Sequence, residues 1–266
     1  PFLRHSDLFG KVQAVSIAVP TPFHHCVTKD FFLCGIDVLL EKPISSTLEE
    51  ADELIGLAEQ KGLIFQVGHL ERFNGALLAV EGMIQDPFLI ESQRLGPFSG
   101  RGADVDVVLD LMVHDIDIVL NLVNSRVKCI NATGLPILTS YFDVANAQIE
   151  FENGCKANLT ASRVSKEKTR KTRIFQPDGT LTIDYLSQKA SSSKKVIRPE
   201  KGRLPEMLAE EIPVRKVDLL EEEIRSFLQS VRDRKEARVS GRDGRQVLEV
   251  ALRIIRKMEE GLNRIK

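Results

Sequence analysis

In the first quarter of the chain the apolar residues come in short β-branched blocks separated by stretches of helical period. The block VQAVSIAVP, 12–20, is apolar enough to be buried on both faces and stops at Pro20, which suits a parallel strand inside a sheet. A helical pattern over 23–34 closes at Gly35, and IDVLLEKP, 36–43, reads as a second buried strand. From Thr47 the segment TLEEADELIGLAEQKG returns to helical spacing. Thr47 and Glu50 form a capping box at its start and Gly62 supplies the stop. LIFQVG, 63–68, is a third strand. Strand, helix, strand, helix, strand at this spacing predicts a doubly wound α/β unit with a parallel sheet.

Beyond Gly68 the period changes. Residues 69–84 read as a helix, 88–95 as a strand, and a loop rich in Gly, Pro and Ser leads into a helix within DVDVVLDLMVHDIDIVLNLV, 104–123. Four alternating stretches follow, VKCINATGL, YFDVANAQIEFENG, CKANLTASRV and TRIFQPDGTLTIDY, with ENG and PDG as hairpin turns. They predict a mostly antiparallel sheet with helices on one face. The other face then needs cover, which points to a homodimer or homotetramer. Residues 187–216 are polar and irregular, expected as an excursion with a peripheral strand, and two amphipathic helices at 218–234 and 242–262 close the pattern. The expected fold is therefore α/β: a doubly wound parallel sheet over 1–68, then an α+β domain with a mostly antiparallel sheet and C-terminal helices over 69–266.

Composition narrows the partners more than the fold. The 266 residues are 42% hydrophobic and 28% charged, with a formal net charge of −1. Nothing in that balance argues for nucleic acid. The run SKEKTRKTR, 165–173, reads first as a solvated strand end or loop, with an anion site as the alternative. No apolar run reaches 18 residues, so no membrane partner is expected. Cys26, Cys34, Cys129 and Cys155 lie far apart without a CxxC pair. They are expected to be reduced, mostly buried thiols of a soluble cytoplasmic protein.

Chemistry can be placed at three points. Lys42 follows a parallel strand at its carboxyl end, where open α/β sheets take ligands; by itself it reads first as a lysine marking a strand end. Asp110 and His114 are four residues apart on an otherwise apolar helix with Val107, Val108, Leu111, Met112, Ile118 and Val119. Such a pair is either a general base with its orienting carboxylate or a satisfied internal hydrogen bond. No further ligand cluster accompanies it, so no metal is expected. His69 and Arg72, in VGHLERFN, form a third polar group at a strand-to-helix junction, with a plain helix start as the bland alternative.

The segment from VSIAVPTPFHH through GIDVLLEKPISSTLEEADELIGLAEQKGLIFQVGHLERFN resembles the second half of the Rossmann domain of the Gfo/Idh/MocA oxidoreductases. The likeness continues through DLMVHDID, LTASRVS, GTLTIDY and SGRDGRQVLEVALRI, and so covers nearly the whole chain. It implies NAD or NADP as cofactor and hydride transfer at a sugar or cyclitol carbon. Lys42, Asp110 and His114 would surround that carbon, in a cleft between the two expected domains. Pro20, Thr21, His24 and Glu41, with Lys42, would line the nicotinamide side, and His69, Arg72, Asn74 and Arg163 would meet the substrate. The stretch ESQRLGPFSGRGADVDVVLDLMVHDIDIVL is similar to the branch containing UDP-N-acetylglucosamine 3-dehydrogenases, whose product goes on to a diamino sugar of lipid A. Two alternatives stand beside that reading: a dehydrogenase of free sugars or cyclitols, and a non-catalytic relative. The second arises because residues 1–266 contain no GxGxxG, the glycine-rich turn that would hold the cofactor pyrophosphate. The chain is accordingly expected to begin part-way through its first domain.

Overall fold

The computed structural model describes residues 2–100, 102–196 and 206–263. Two compact units emerge, one from Pro1–Leu70 with Asp218–Val250, the other from Glu71–Val217 with Ala251–Lys266. The C-terminal helices, expected wholly in the second domain, are thus shared out between the units.

In the first unit β1 (Ala14–Ile17), β2 (Asp37–Glu41) and β3 (Phe65–Gly68) form a parallel sheet in the order β1-β2-β3. The intervening helices are α1 (His24–Leu33) and α2 (Leu48–Lys61). Thr47 Oγ1 accepts from the Glu50 amide at 3.2 Å, the Glu50 carboxylate accepts from the Thr47 amide at 3.3 Å, and Gly62 closes α2 at φ +63°. These reciprocal bonds satisfy donors that a helix start leaves open. α5 (Leu219–Asp233) joins this unit because its Phe227, together with Ala237, packs on Leu39 of β2 and on Ile64. The chain after α5 then covers the outer edge of β3, where the Val67 amide donates to the Val239 carbonyl at 3.0 Å.

The second unit opens with a 3₁₀ turn and α3 (Gly75–Glu81), then β4 (Leu89–Leu95). A single helix over 69–84 was expected. Instead Asn74 stops the 3₁₀ turn and caps α3, its side chain accepting from the Ala76 amide at 3.1 Å. Further on, a π-helical turn at Val108–Met112 runs into α4 (Val113–Leu122). β5 (Val127–Leu135), β6 (Val144–Phe151), β7 (Lys156–Ser162), β8 (Thr169–Gln176), β9 (Gly179–Asp184), β10 (Lys189–Val196) and β11 (Glu206–Ile212) complete the sheet. Its order is β11-β10-β9-β8-β4-β7-β6-β5, antiparallel except for the β4–β7 pair. The segment expected as an excursion with one peripheral strand is a hairpin, β10 with β11, continuing the sheet; 197–205 lie outside the described residues. α6 (Gly241–Leu262) belongs to the first unit through Val250 and to the second from Ala251.

Alternation divides the large sheet into two unlike faces. Ile90, Ala147, Ile149, Leu159, Ile174 and Ile183 are fully buried, as are Met112 and Ile116 on the helical stretch. The opposite face carries Asn146 bonded to Thr160 at 2.9 Å and Gln148 bonded to Asn158 at 3.1 Å. These two pairs bond across β6 and β7, so that part of the face is polar. The thiols also differ from expectation. All four are free, but Cys26, Cys34 and Cys129 are exposed, since they lie on the outside of α1, at its C-cap and on the edge strand β5. Cys155 is buried, and burial pushes its thiol up to about 11. Among the described residues no helix is long and apolar enough to cross a membrane.

Candidate functional site

The first unit gathers its polar residues at the carboxyl ends of three parallel strands, the region where such sheets receive ligands. After β1, Pro20 is exposed and Thr21 half-buried at the start of a 3₁₀ turn. His24 is buried, with its ring nitrogens 2.8 Å from the Val19 carbonyl and 2.7 Å from the Pro43 carbonyl. It therefore ties the loop after β1 to the loop after β2. Glu41 ends β2, Lys42 follows half-buried, and the Lys42–Pro43 peptide is cis. Gly68 ends β3. A Cβ there would lie 3.2 Å from the Glu41 Cα and 3.3 Å from its Oε2, so a side chain at 68 would require Glu41 to give by a few tenths of an ångström. His69, next in the chain, is buried. Pro20, Thr21, His24, Glu41 and Lys42 thus all lie at or just beyond the carboxyl ends of β1 and β2, the end of the sheet where such folds receive a dinucleotide.

A residue that sequence reasoning missed belongs here. Glu223 of α5 is 1% exposed, and its Oε1 has no hydrogen-bond partner among the described residues. Burial, with a smaller contribution from the nearby Glu41 charge, pushes its carboxyl up to about 8. The available signal was its place four residues before Phe227, on the buried stripe of the helix.

In the second unit, Asp110 stands in the π-helical turn and His114 at the start of α4, both half-buried. Single π turns recur at functional sites because the wider turn re-aims side chains without ending the helix. Asp110 lies against Gly102, which holds φ +67°; a Cβ at 102 would be 2.6 Å from its Oδ2. The other aspartates of this stretch have separate duties. Asp106 accepts from the Phe142 amide at 2.9 Å. Asp115 accepts from both Nε and Nη2 of Arg94 at 3.1 Å, and Asp117 accepts from Nε and Nη2 of Arg72 at 2.7 and 2.9 Å.

Three of the expected substrate contacts also make bonds within the protein. Arg72, 4% exposed, is committed to Asp117 and Asn121. Asn74 is the α3 cap and also donates to Glu71 at 3.1 Å and to the Tyr185 carbonyl at 3.2 Å. Arg163 donates to Asp143 at 2.7 Å, to the Gly102 carbonyl, to the Val105 carbonyl at 2.9 Å, and to Thr139 and Phe142. Each therefore has its side chain held in place by acceptors within the protein. Arg163 secures the loop that presses Gly102 against Asp110, and Asp143 in turn secures Arg163. Although Asp143 is buried, the amides of Thr139, Ile137 and Leu138 and the Arg163 guanidinium outweigh desolvation, holding its carboxyl well below the usual range.

Asp110 opens onto a cavity of about 350 Å³ that Arg94, Ser99, Arg163, Lys168 and Arg170 also line. Arg94 was not singled out from sequence. Its signal was an arginine on the inward phase of a strand, after Ile90 and Ser92. Burial opposes its charge, but Asp115 and Glu71, the latter 2.9 Å from Nη1, outweigh that and hold its guanidinium protonated.

Comparison with known proteins places these features. Residues 1–69 match the model of the oxidoreductase family with an NAD-binding Rossmann fold, and residues 73–182 match the GFO/IDH/MocA C-terminal domain. UDP-N-acetylglucosamine 3-dehydrogenase of Acidithiobacillus ferrooxidans is 34% identical over 258 residues, which is 97% of this chain and 82% of that protein. A solved structure of the enzyme of that name from the same organism superposes with a TM-score of 0.90 at 33% identity, over 97% of this chain and 82% of its own. The scyllo-inositol dehydrogenase of Lactobacillus casei, solved with NAD(H) and scyllo-inositol, shares the fold at TM-score 0.77 and 22% identity, over 97% and 82% of the two chains.

Proposed function

The chain belongs to the Gfo/Idh/MocA family of NAD(P)-dependent oxidoreductases, and from that premise we propose that it oxidises the 3-hydroxyl of UDP-N-acetylglucosamine. The observation that carries the proposal is the 34% identity to an enzyme of that name along 97% of this chain, which runs through both units and the basic cavity. A nicotinamide, when bound, supplies the acceptor for the hydride that leaves the sugar carbon. Pro20, Thr21, His24, Glu41 and Lys42, at the strand ends of the first unit, would hold that end of the cofactor.

The protein's own chemistry is proton movement. His114 takes the hydroxyl proton as the carbon loses its hydride, and Asp110 orients and tunes the imidazole. Lys42 donates a hydrogen bond to the reacting oxygen, stabilising negative charge as it develops there. The carbonyl product is the functional group an aminotransferase uses, which suits onward conversion to a diamino sugar such as that of lipid A. A cytoplasmic location goes with this reading, since three exposed free thiols suit a reducing compartment. So does assembly as a homodimer or homotetramer, for Leu135, Ile137, Leu138 and Tyr141 leave apolar surface that a second copy would cover.

The test is a substrate panel with the whole protein, following nicotinamide reduction with NAD and with NADP. UDP-N-acetylglucosamine should be turned over with a kcat/KM at least about 10²-fold above free N-acetylglucosamine and myo- or scyllo-inositol. Preference for a free sugar or cyclitol would move the assignment to that class, and no turnover of any of them would favour a binding role.

A further inference from the structure

In the sheet of the second unit two arginines stand directly opposite each other. Arg94 of β4 pairs with Arg170 of β8 in antiparallel register. Like charges at such positions repel, and most sheets avoid them. Arg94 is compensated from behind by Asp115 and Glu71. Arg170 shares that same Glu71, at a longer 3.6 Å, and is about one-third exposed on the cavity side. Burial, then the Arg94 charge, push its guanidinium below its ordinary value, against Glu71, Asp115 and Asp110, which raise it. Lys168, two residues earlier, lines the same cavity, is exposed, and has no ion pair among the described residues. Against Lys168 and the partly compensated Arg170, the cavity's described lining offers the single acid Asp110. A basic run that reads in sequence as a solvated strand end therefore contributes two cations to the wall of this cavity.

We infer that Lys168 and Arg170 form an anion subsite that takes the diphosphate of a nucleotide-sugar substrate, beside the Asp110 turn. Three features support this. The cavity, at about 350 Å³, is within the range of small-ligand sites. A diphosphate set between an ammonium and a guanidinium makes charge-assisted bonds to both and relieves the Arg94–Arg170 repulsion. A free sugar or cyclitol carries no charge to use either group, so the pair would also set specificity. This inference rests on the nucleotide-sugar reading above, but binding of the anion can be measured without turnover.

The experiment uses the whole protein with Lys168→Gln, Arg170→Gln and the double variant. Calorimetric titration with UDP, and with inorganic pyrophosphate, reads the subsite directly. Each single variant should weaken UDP by about tenfold or more, the double variant further, and added salt should weaken wild type more than the double variant. In turnover the same changes should appear in KM for UDP-N-acetylglucosamine more than in kcat. Lys168 is exposed, so its variant folds whatever becomes of Arg170, and titration with NAD(H) should be unaltered in both. Loss of UDP binding in a protein that turns over no UDP-sugar would keep the subsite and remove the catalytic reading. UDP binding unchanged in the double variant, or no UDP binding by wild type, would overturn the inference. A fall in NAD(H) affinity with UDP unaffected would do so as well, by assigning the cations to the cofactor's pyrophosphate.

Discussion

Glu223 is the residue whose environment has the clearest consequence in solution. Its carboxyl is nearly sealed from water and close to Glu41, and its value rises from 4.5 to about 8. Between those values the unfolded chain releases this proton and the folded chain keeps it. Stability therefore falls as pH rises through that window and is level on either side of it. At about 1.4 kcal/mol per unit the penalty above pH 8 is on the order of a few kcal/mol. Glu223→Gln, similar in shape and never charged, should raise the melting temperature at pH 8 while changing it little at pH 5. An equal change at both values would mean that the carboxyl is not held neutral by its surroundings. Sequence does not single Glu223 out because it is one of three consecutive glutamates, and only the packing of α5 on β2 decides which is sealed. Lys42, Asp110 and His114 stand out because each interrupts an apolar pattern. Arg72 stands out in sequence too, but as a ligand contact; its pairing with Asp117, 45 residues away, is tertiary information.

At the scale of elements, the site helix depends on a loop, and the loop depends on a buried ion pair. Asp143 holds Arg163, Arg163 holds the Gly102 and Val105 carbonyls, and Gly102 bounds Asp110. Because the Asp143 value is depressed when folded, the stability it contributes is complete above its ordinary 3.8 and is lost as pH falls below that. Asp143→Asn should cost about 3–5 kcal/mol near neutral pH, since it leaves the Arg163 charge buried without its partner. Urea titrations at pH 7 and pH 3 should show the gap between wild type and variant narrowing at the lower pH, and a constant gap would contradict the linkage. Local signals carried α2 well, because Thr47, Glu50 and Gly62 are all within the element they bound. The break at Asn74 was hidden, since a polar residue in a helical run looks like a surface position until its side chain is seen capping α3. The π turn was hidden for another reason. Residues four apart share a face in either helical form over a single turn, so apolar spacing does not distinguish the two.

For the molecule as a whole, hydrophobic period separated a parallel α/β portion from an antiparallel one, because strands buried on two faces and on one face have different patterns. It did not place Asp218–Val250, which returns to the first unit through Phe227, Ala237 and the Val239 bond to β3. Those contacts join residues more than 160 positions apart, and an amphipathic helix does not record which partner its apolar stripe will meet. Nor did alternation reveal that Asn146 would pair with Thr160 and Gln148 with Asn158 on the open face. We propose that the Asp110–His114 stretch of the second unit carries the proton chemistry of an NAD(P)-dependent sugar oxidation. The most direct measurement is single-turnover nicotinamide reduction with UDP-N-acetylglucosamine, comparing wild type with His114→Ala and titrating NAD(P)H into both. The account predicts a rate at least about 10²-fold lower for the variant with cofactor affinity unchanged. Near-normal reduction by His114→Ala would contradict it.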